Sequence, residues 1–209
     1  MALYVERKWG LLAGLSGHME PDPNHPYWYV NQTERGYFAN YLARGETEKA
    51  LLVFYSNLFY GLSHDTYQTC ERIDIRDGNY APFQPNASGN GRTLDMLRRM
   101  VVDEQEPNVI WLLRGCPRRW FAPGQSILVR DAPTCFGKLS LRTDADANRV
   151  TVGIDSPDRE APGQINLVIR HPQRITPRSV TVNGRRTTAN GETIPLLASR
   201  GHLRVVCDY

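Results

Sequence analysis

The spacing of apolar residues along the chain changes near Pro107. Before it, apolar side chains recur at three- and four-residue steps. After it, they alternate with polar ones over short runs. The first spacing belongs to helices and the second to half-buried strands. Residues 3–15 carry Leu3, Val5, Trp9, Leu11, Leu12 and Leu15 in a short helix-compatible run ending in Gly14 and Gly17. Thr33 is placed to cap a helix over 34–44, with Tyr37, Phe38, Tyr41 and Leu42 at helical spacing and Gly45 at its end. A second helix over 46–60 holds Ala50, Leu51, Phe54 and Leu58 and is apolar on more than one side, which predicts burial between neighbours. The short link at Gly45 makes the two an antiparallel hairpin. A third helix over 89–104 sets Leu94, Leu97, Met100 and Val101 on one face, opposite Asp95, Arg98, Arg99 and Asp103.

The β-rich runs are 109–113, 126–130, 138–142, 149–154, 165–170, 179–182 and 203–207, punctuated by Gly, Pro, Asn and Asp. Asn183-Gly184 directly after Ser179-Val180-Thr181-Val182 is a tight-hairpin signal. So many short strands in about a hundred residues predict a β-sandwich. The fold class expected is therefore α+β: a helical segment over 1–106, then an antiparallel β-sandwich over 107–209.

Composition narrows the function classes. At 209 residues and 41% hydrophobic, the chain can bury a core. Its net charge of +3 is small, and its arginine pairs (Arg98–Arg99, Arg118–Arg119, Arg185–Arg186) are scattered. That is not the basic stripe of a nucleic-acid binder. No apolar run is long enough for a membrane-spanning helix, so no membrane partner is expected. Glu6, Arg7 and Lys8 stand where a signal peptide would have its apolar stretch. Cys70, Cys116, Cys135 and Cys207 are widely spaced without a C-x-x-C, which argues against a zinc ribbon or redox dithiol. Separate buried thiols are expected, with Cys116 and Cys135 the pair to consider if a disulfide forms. No cofactor motif is present, and none is expected.

The densest chemistry lies between residues 64 and 86. Asp65, Glu71 and Asp74 are carboxylates, Tyr67, Tyr80 and Phe83 offer aromatic faces, and His64, Gln68, Gln84 and Asn86 offer hydrogen bonds. Glycoside hydrolysis uses two carboxylates across the scissile bond, with aromatic and polar groups holding the ring. Arg72 can tune a carboxylate, although Glu71 and Arg72 also fit a structural salt bridge. Trp28 sits in a second aromatic cluster, Tyr27-Trp28-Tyr29, after the Pro-rich stretch 18–26. That stretch holds His18, Glu20, Asp22 and His25, which are weak candidates for a divalent metal because their spacing matches no known ligand pattern. No G-x-S-x-G is present. Cys70 beside Glu71 fits a buried thiol better than a nucleophile, and Gly89-Asn90-Gly91-Arg92 opens a helix without matching a phosphate loop.

Four stretches together resemble the C-terminal part of the six-hairpin glycosidases, in particular their α-L-rhamnosidase-like members. They are the aromatic helix pair over 34–60, the Thr69-Cys70-Glu71-Arg72 segment, the helix entry over 86–100 and the Ser-Val-Thr-Val-Asn-Gly-Arg hairpin at 179–185. The resemblance implies the last hairpins of an (α/α)₆ toroid followed by a sandwich. It also implies an inverting mechanism with Glu71 as one catalytic carboxylate. The toroid has twelve helices and the pattern here predicts only three or four, so the resemblance implies a truncated form. The partner carboxylate expected from an earlier hairpin is then missing or replaced by Glu20, Asp22 or Glu34.

The leading expectation is a protein that cleaves or binds a carbohydrate. Two alternatives stand beside it: a non-catalytic carbohydrate-binding or assembly module, and a promiscuous hydrolase assisted by metal at His18 and His25. Missing helices would also leave Tyr37, Phe38, Phe54, Tyr55 and Phe59 partly in water, which predicts a homo-oligomer burying them.

Overall fold

The computed structural model describes residues 11–12, 15–16, 28–30, 34–63, 65–74, 79–81, 86–197 and 201–209. The chain divides into two compact units, Met1–Arg99 and Met100–Tyr209. Within the described residues it is an α+β protein with three α-helices and mostly antiparallel sheets.

In the first unit, strands β1 (Leu11–Leu12) and β2 (Leu15–Ser16) pair antiparallel, with Leu12 opposite Leu15. The expected helix over 3–15 is therefore not formed at its C-terminal end. Strand β3 (Trp28–Val30) follows, then helices α1 (Glu34–Ala43) and α2 (Thr47–Tyr60). The Phe38 and Phe54 rings lie 6.3 Å apart. Sixteen residues of continuous helix would separate them by about 24 Å, so the two helices fold back on each other. Tyr37, Phe38 and Phe54 are buried, contrary to the expectation of exposed aromatics, whereas Leu52, Tyr55 and Phe59 face water. Helix α2 thus has a solvent face rather than neighbours all round.

The stretch between the second and third helices is more ordered than its polarity suggested. Leu62 and Thr69 form an isolated bridge, and β4 (Arg72–Asp74) is the centre of a three-stranded antiparallel sheet with β3 and β5 (Asn79–Ala81). Helix α3 (Ala87–Val101) starts two residues before the expected position. Its buried side chains include Met96 and Met100, while Leu94 and Leu97 are exposed. The expected apolar face is therefore split, with Met100 and Val101 packed in and Leu94 and Leu97 in water. The helix also ends before the expected position: the chain leaves it after Val101 and enters strand β6 (Val102–Asp103), so Asp103 lies outside it.

The second unit adds nine strands: β7 (Val109–Leu112), β8 (Ser126–Thr134), β9 (Gly137–Asp146), β10 (Arg149–Asp155), β11 (Gln164–Val168), β12 (Ser179–Val182), β13 (Arg185–Thr187), β14 (Thr193–Leu197) and β15 (His202–Asp208). Together with β6 they form a six-stranded antiparallel sheet, β13-β12-β15-β10-β9-β8, and a four-stranded sheet, β14-β11-β7-β6, in which β11 and β7 run parallel. Leu139, Val152, Ile154 and Val205 from the first sheet share one apolar core with Ile110, Leu112, Ile165 and Ile194 from the second. Two sheets joined by their inner faces make a sandwich. Strand β10 shows the driving pattern: Val150, Val152 and Ile154 are buried, and Thr151, Gly153 and Asp155 lie on the outer face. Asn183 and Gly184 both have positive φ, 48° and 77°, as a tight turn between β12 and β13 requires. Strands β6 and β14 were not foreseen, whereas β13 is the second arm of the expected Asn183-Gly184 hairpin. All four cysteines are free, so the Cys116–Cys135 pair does not form.

Candidate functional site

The candidate loop is built on a turn and a helix cap. Ser63 N–H donates to Gln68 O at 2.8 Å, Tyr67 N–H donates to Ser63 O at 2.9 Å, and Gln68 N–H donates to Ser63 Oγ at 3.0 Å. Asp65 Oδ1 accepts the Thr66 N–H at 2.8 Å. That backbone hydrogen bond, with further backbone and Ser63 and Thr66 contacts, holds the Asp65 carboxyl below the usual aspartate range although it lies in water. Asp65 is thus an ionised turn-former. Within this turn Tyr67 takes φ 54° and is 72% exposed. A bulky residue in that region is strained, and here the strain comes with an aromatic ring held out to solvent.

The next segment is tied to α3. Buried Thr69 donates its N–H to Asn90 Oδ1 at 3.0 Å, and Thr69 Oγ1 lies 2.7 Å from both Asn90 Oδ1 and Asn86 O. The single hydroxyl proton serves both oxygens. Asn86 N–H returns a bond to Thr69 O at 2.9 Å. Asn86 Oδ1 accepts the Gly89 N–H at 2.9 Å, the geometry of a helix cap bonding the third helical residue. The Asn86 side chain, expected to meet sugar hydroxyls, holds the helix start. Thr69 and Asn90 were not foreseen as part of the site, because a Thr and an Asn separated by helix and loop carry no local signal.

Cys70 follows, buried, with its Sγ 3.8 Å from Gly61 O. Burial pushes its thiol up to about 11, which rules out a thiolate nucleophile at neutral pH. Glu71 is half-buried at the bend before β4 and makes no ion pair among the described residues. Asp74, at the far end of the same strand, is only 2% exposed. The β3–β4 register sets Trp28 opposite Asp74 and Val30 opposite Arg72, and the β4–β5 register sets Tyr80 opposite Ile73. The sheet therefore brings the Trp28 strand beside the segment that follows Glu71. His64, Gln84, Glu20, His18, Asp22 and His25 lie outside the described residues. No group of three or more metal-ligating side chains is found among the described residues.

A second arrangement, in the sandwich unit, was not anticipated. A groove of about 430 Å³ crosses the outer face of the six-stranded sheet. It holds Arg130, Arg142, Asp144, Gly153, Asp155, His202 and Arg204. Arg142 is bidentate on Asp144 at 2.9–3.2 Å, and this pairing lowers the Asp144 carboxyl. His202 Nδ1 lies 2.8 Å from Asp155 Oδ1. The register carries these pairs, since Asp155 is opposite His202 although they are 47 positions apart.

No family model matches the chain, and no curated protein matches it. Among solved structures, one titled "Structure of alpha-L-rhamnosidase from Dictyoglumus thermophilum" is similar at 13% identity and a TM-score of 0.48. The match covers 90% of this chain and 22% of that one, so the chain spans about a fifth of that enzyme's length. No helix among the described residues is long and apolar enough to cross a membrane.

Proposed function

We propose that the protein binds a carbohydrate through the loop between α2 and α3. Tyr67 stacks on the sugar ring and Glu71 accepts hydrogen bonds from its hydroxyls. The observation that carries this is the Tyr67 ring, 72% exposed on a backbone at φ 54°. Such strain persists where the surrounding bonds over-determine it, and such positions cluster at ligand sites. The rigid turn also means that little ordering entropy is lost on binding.

Tyr67→Ala tests the reading. The expected result, by titration calorimetry against a panel of neutral oligosaccharides, is about a tenfold loss of affinity, with the thermal midpoint held, because alanine keeps the Cβ that strains this backbone and the lost ring is solvent-exposed. An unchanged affinity would overturn the assignment.

Glycosidic cleavage is the second reading, favoured by the Glu71 carboxylate being half-buried and without an ion pair among the described residues. Its second carboxylate would be Glu20, Asp22 or Glu34, since Asp65 is committed to its turn and Asp74 is buried. Glu71→Gln then abolishes turnover and leaves binding within a few-fold. The same reading includes self-association through α2, where Leu52, Tyr55 and Phe59 make an exposed stripe at helical spacing.

A further inference from the structure

We propose that the groove on the outer face of the six-stranded sheet is a separate binding site for an acidic sugar, with Arg204 and Arg130 receiving its carboxylate. The ligand class rests on the carbohydrate reading above, but the residues are different ones and lie wholly in the sandwich unit. The construction centres on Gly153. In the middle of β10 this glycine pairs with Arg142 on one side and Arg204 on the other. Neighbouring strands lie about 4.8 Å apart, so the two arginine backbones flank the glycine at about 10 Å from each other. A glycine inside a strand weakens it and often marks a place where something must approach closely. Here that something is His202: a Cβ on Gly153 would stand 3.2 Å from its Cε1 and 3.6 Å from its Nε2. The imidazole lies over the glycine, and Asp155 holds its Nδ1 at 2.8 Å. With Nδ1 engaged, Nε2 is the ring nitrogen left for a ligand.

Charge bookkeeping gives the sign of that ligand. Arg142 is neutralised by Asp144, and the His202 hydrogen bond does not cancel the Asp155 charge, but the three lining arginines outnumber the two lining aspartates and leave the groove positive. Arg130 and Arg204 have no carboxylate partner among the described residues. Arg130 also sits where β8 breaks register, between Val129 and Ala132, beside Asp131 at φ 49°. Bulges of this kind re-aim side chains next to sites. The size sets the class: about 430 Å³ falls within the roughly 300–1,000 Å³ of small-molecule sites and exceeds what a lone inorganic anion fills. The lining includes no Phe, Tyr or Trp. It does offer the apolar Leu128 and the Asp144 and Asp155 oxygens as acceptors for ring hydroxyls.

The test is calorimetric titration of the full chain with an oligogalacturonate, with its methyl ester and with a neutral oligosaccharide. The expected result is binding of the free acid that weakens with added salt and is lost on esterification. Arg204→Gln and Arg130→Gln, both at exposed positions, should each lower affinity about tenfold with unchanged circular dichroism. Gly153→Val should displace His202 and remove binding. Tyr67→Ala should leave acid binding intact while lowering neutral-sugar binding, which separates this site from the loop. Equal binding of acid and ester, no binding of the acid, or wild-type affinity in both arginine variants would each overturn the proposal. Neutral-sugar binding without acid binding overturns this site alone and leaves the loop reading standing.

Discussion

Asp103 is fully buried, and a lone carboxylate there would be untenable. Arg114 pairs with it, also hydrogen-bonds Gln105 at 3.2 Å, and lies 5.0 Å from the Trp111 ring centre. Removing one partner leaves the other charge buried, so Arg114→Ala should cost about 3–5 kcal/mol by urea denaturation. The cap at Asn86 is a smaller effect: Asn86→Ala should cost about 0.5–2 kcal/mol, read by the same measurement. Thiol chemistry divides the cysteines by burial. The Cys70 and Cys207 thiols are raised to about 11 and about 12, chiefly by burial, Cys116 is raised further, and Cys135 is exposed. A thiol-reactive dye added to the native protein should label Cys135 rapidly and the other three only after unfolding. In the sequence these four look alike; nothing local to Cys135 sets it apart from Cys116.

Helix α2 shows where periodicity stops being sufficient. Ala50, Val53, Phe54 and Asn57 are buried, yet Leu52, Tyr55 and Phe59, equally apolar or aromatic, are exposed, Phe59 at 62%. Apolar spacing identifies a helix but cannot choose among several apolar faces. If that stripe is covered by a second copy, Phe59→Glu should convert a dimer to a monomer in light scattering. A wild-type monomer at micromolar concentration would remove that reading. The β12–β13 turn is the opposite case, legible in two residues. Asn183 and Gly184 have the backbone signs the turn demands, and Gly184→Ala should cost about 1 kcal/mol. The candidate loop falls between these. Its polar and aromatic content was plain, but the Ser63 turn, the Asn86 cap and the Thr69–Asn90 bonds depend on which side chain reaches which backbone group.

Across the whole chain, acid should act in two stages. His171 stacks on Tyr209 at 4.3 Å, its Nδ1 accepts the Gln173 N–H at 3.2 Å, and Arg118 donates to its carbonyl. Burial first, and the Arg118 charge second, hold its imidazole below the ordinary histidine range. A lowered folded value means the unfolded chain binds the proton more readily, so this stabilisation is complete above about pH 6.5 and lost below it. Asp208, held down by Arg149 and Ser179, behaves the same way below about pH 4. At Asp95 burial pushes upward, but Arg99 and Arg35 outweigh it and leave the value lowered. The thermal midpoint should therefore begin to fall below about pH 6.5 and fall again below about pH 4, with His171→Gln flattening the first step. Local sequence determined the helices at 34–60 and the strands after Pro107 through hydrophobic spacing and caps, and the Asn183-Gly184 reversal through turn chemistry, because each depends on neighbours a few residues apart. Only the tertiary structure decided that Asp74 is buried, that Asn86 caps a helix and that Gly153, His202 and Arg204 share a groove. Those outcomes depend on strand register and on burial, which residues distant in the chain set together.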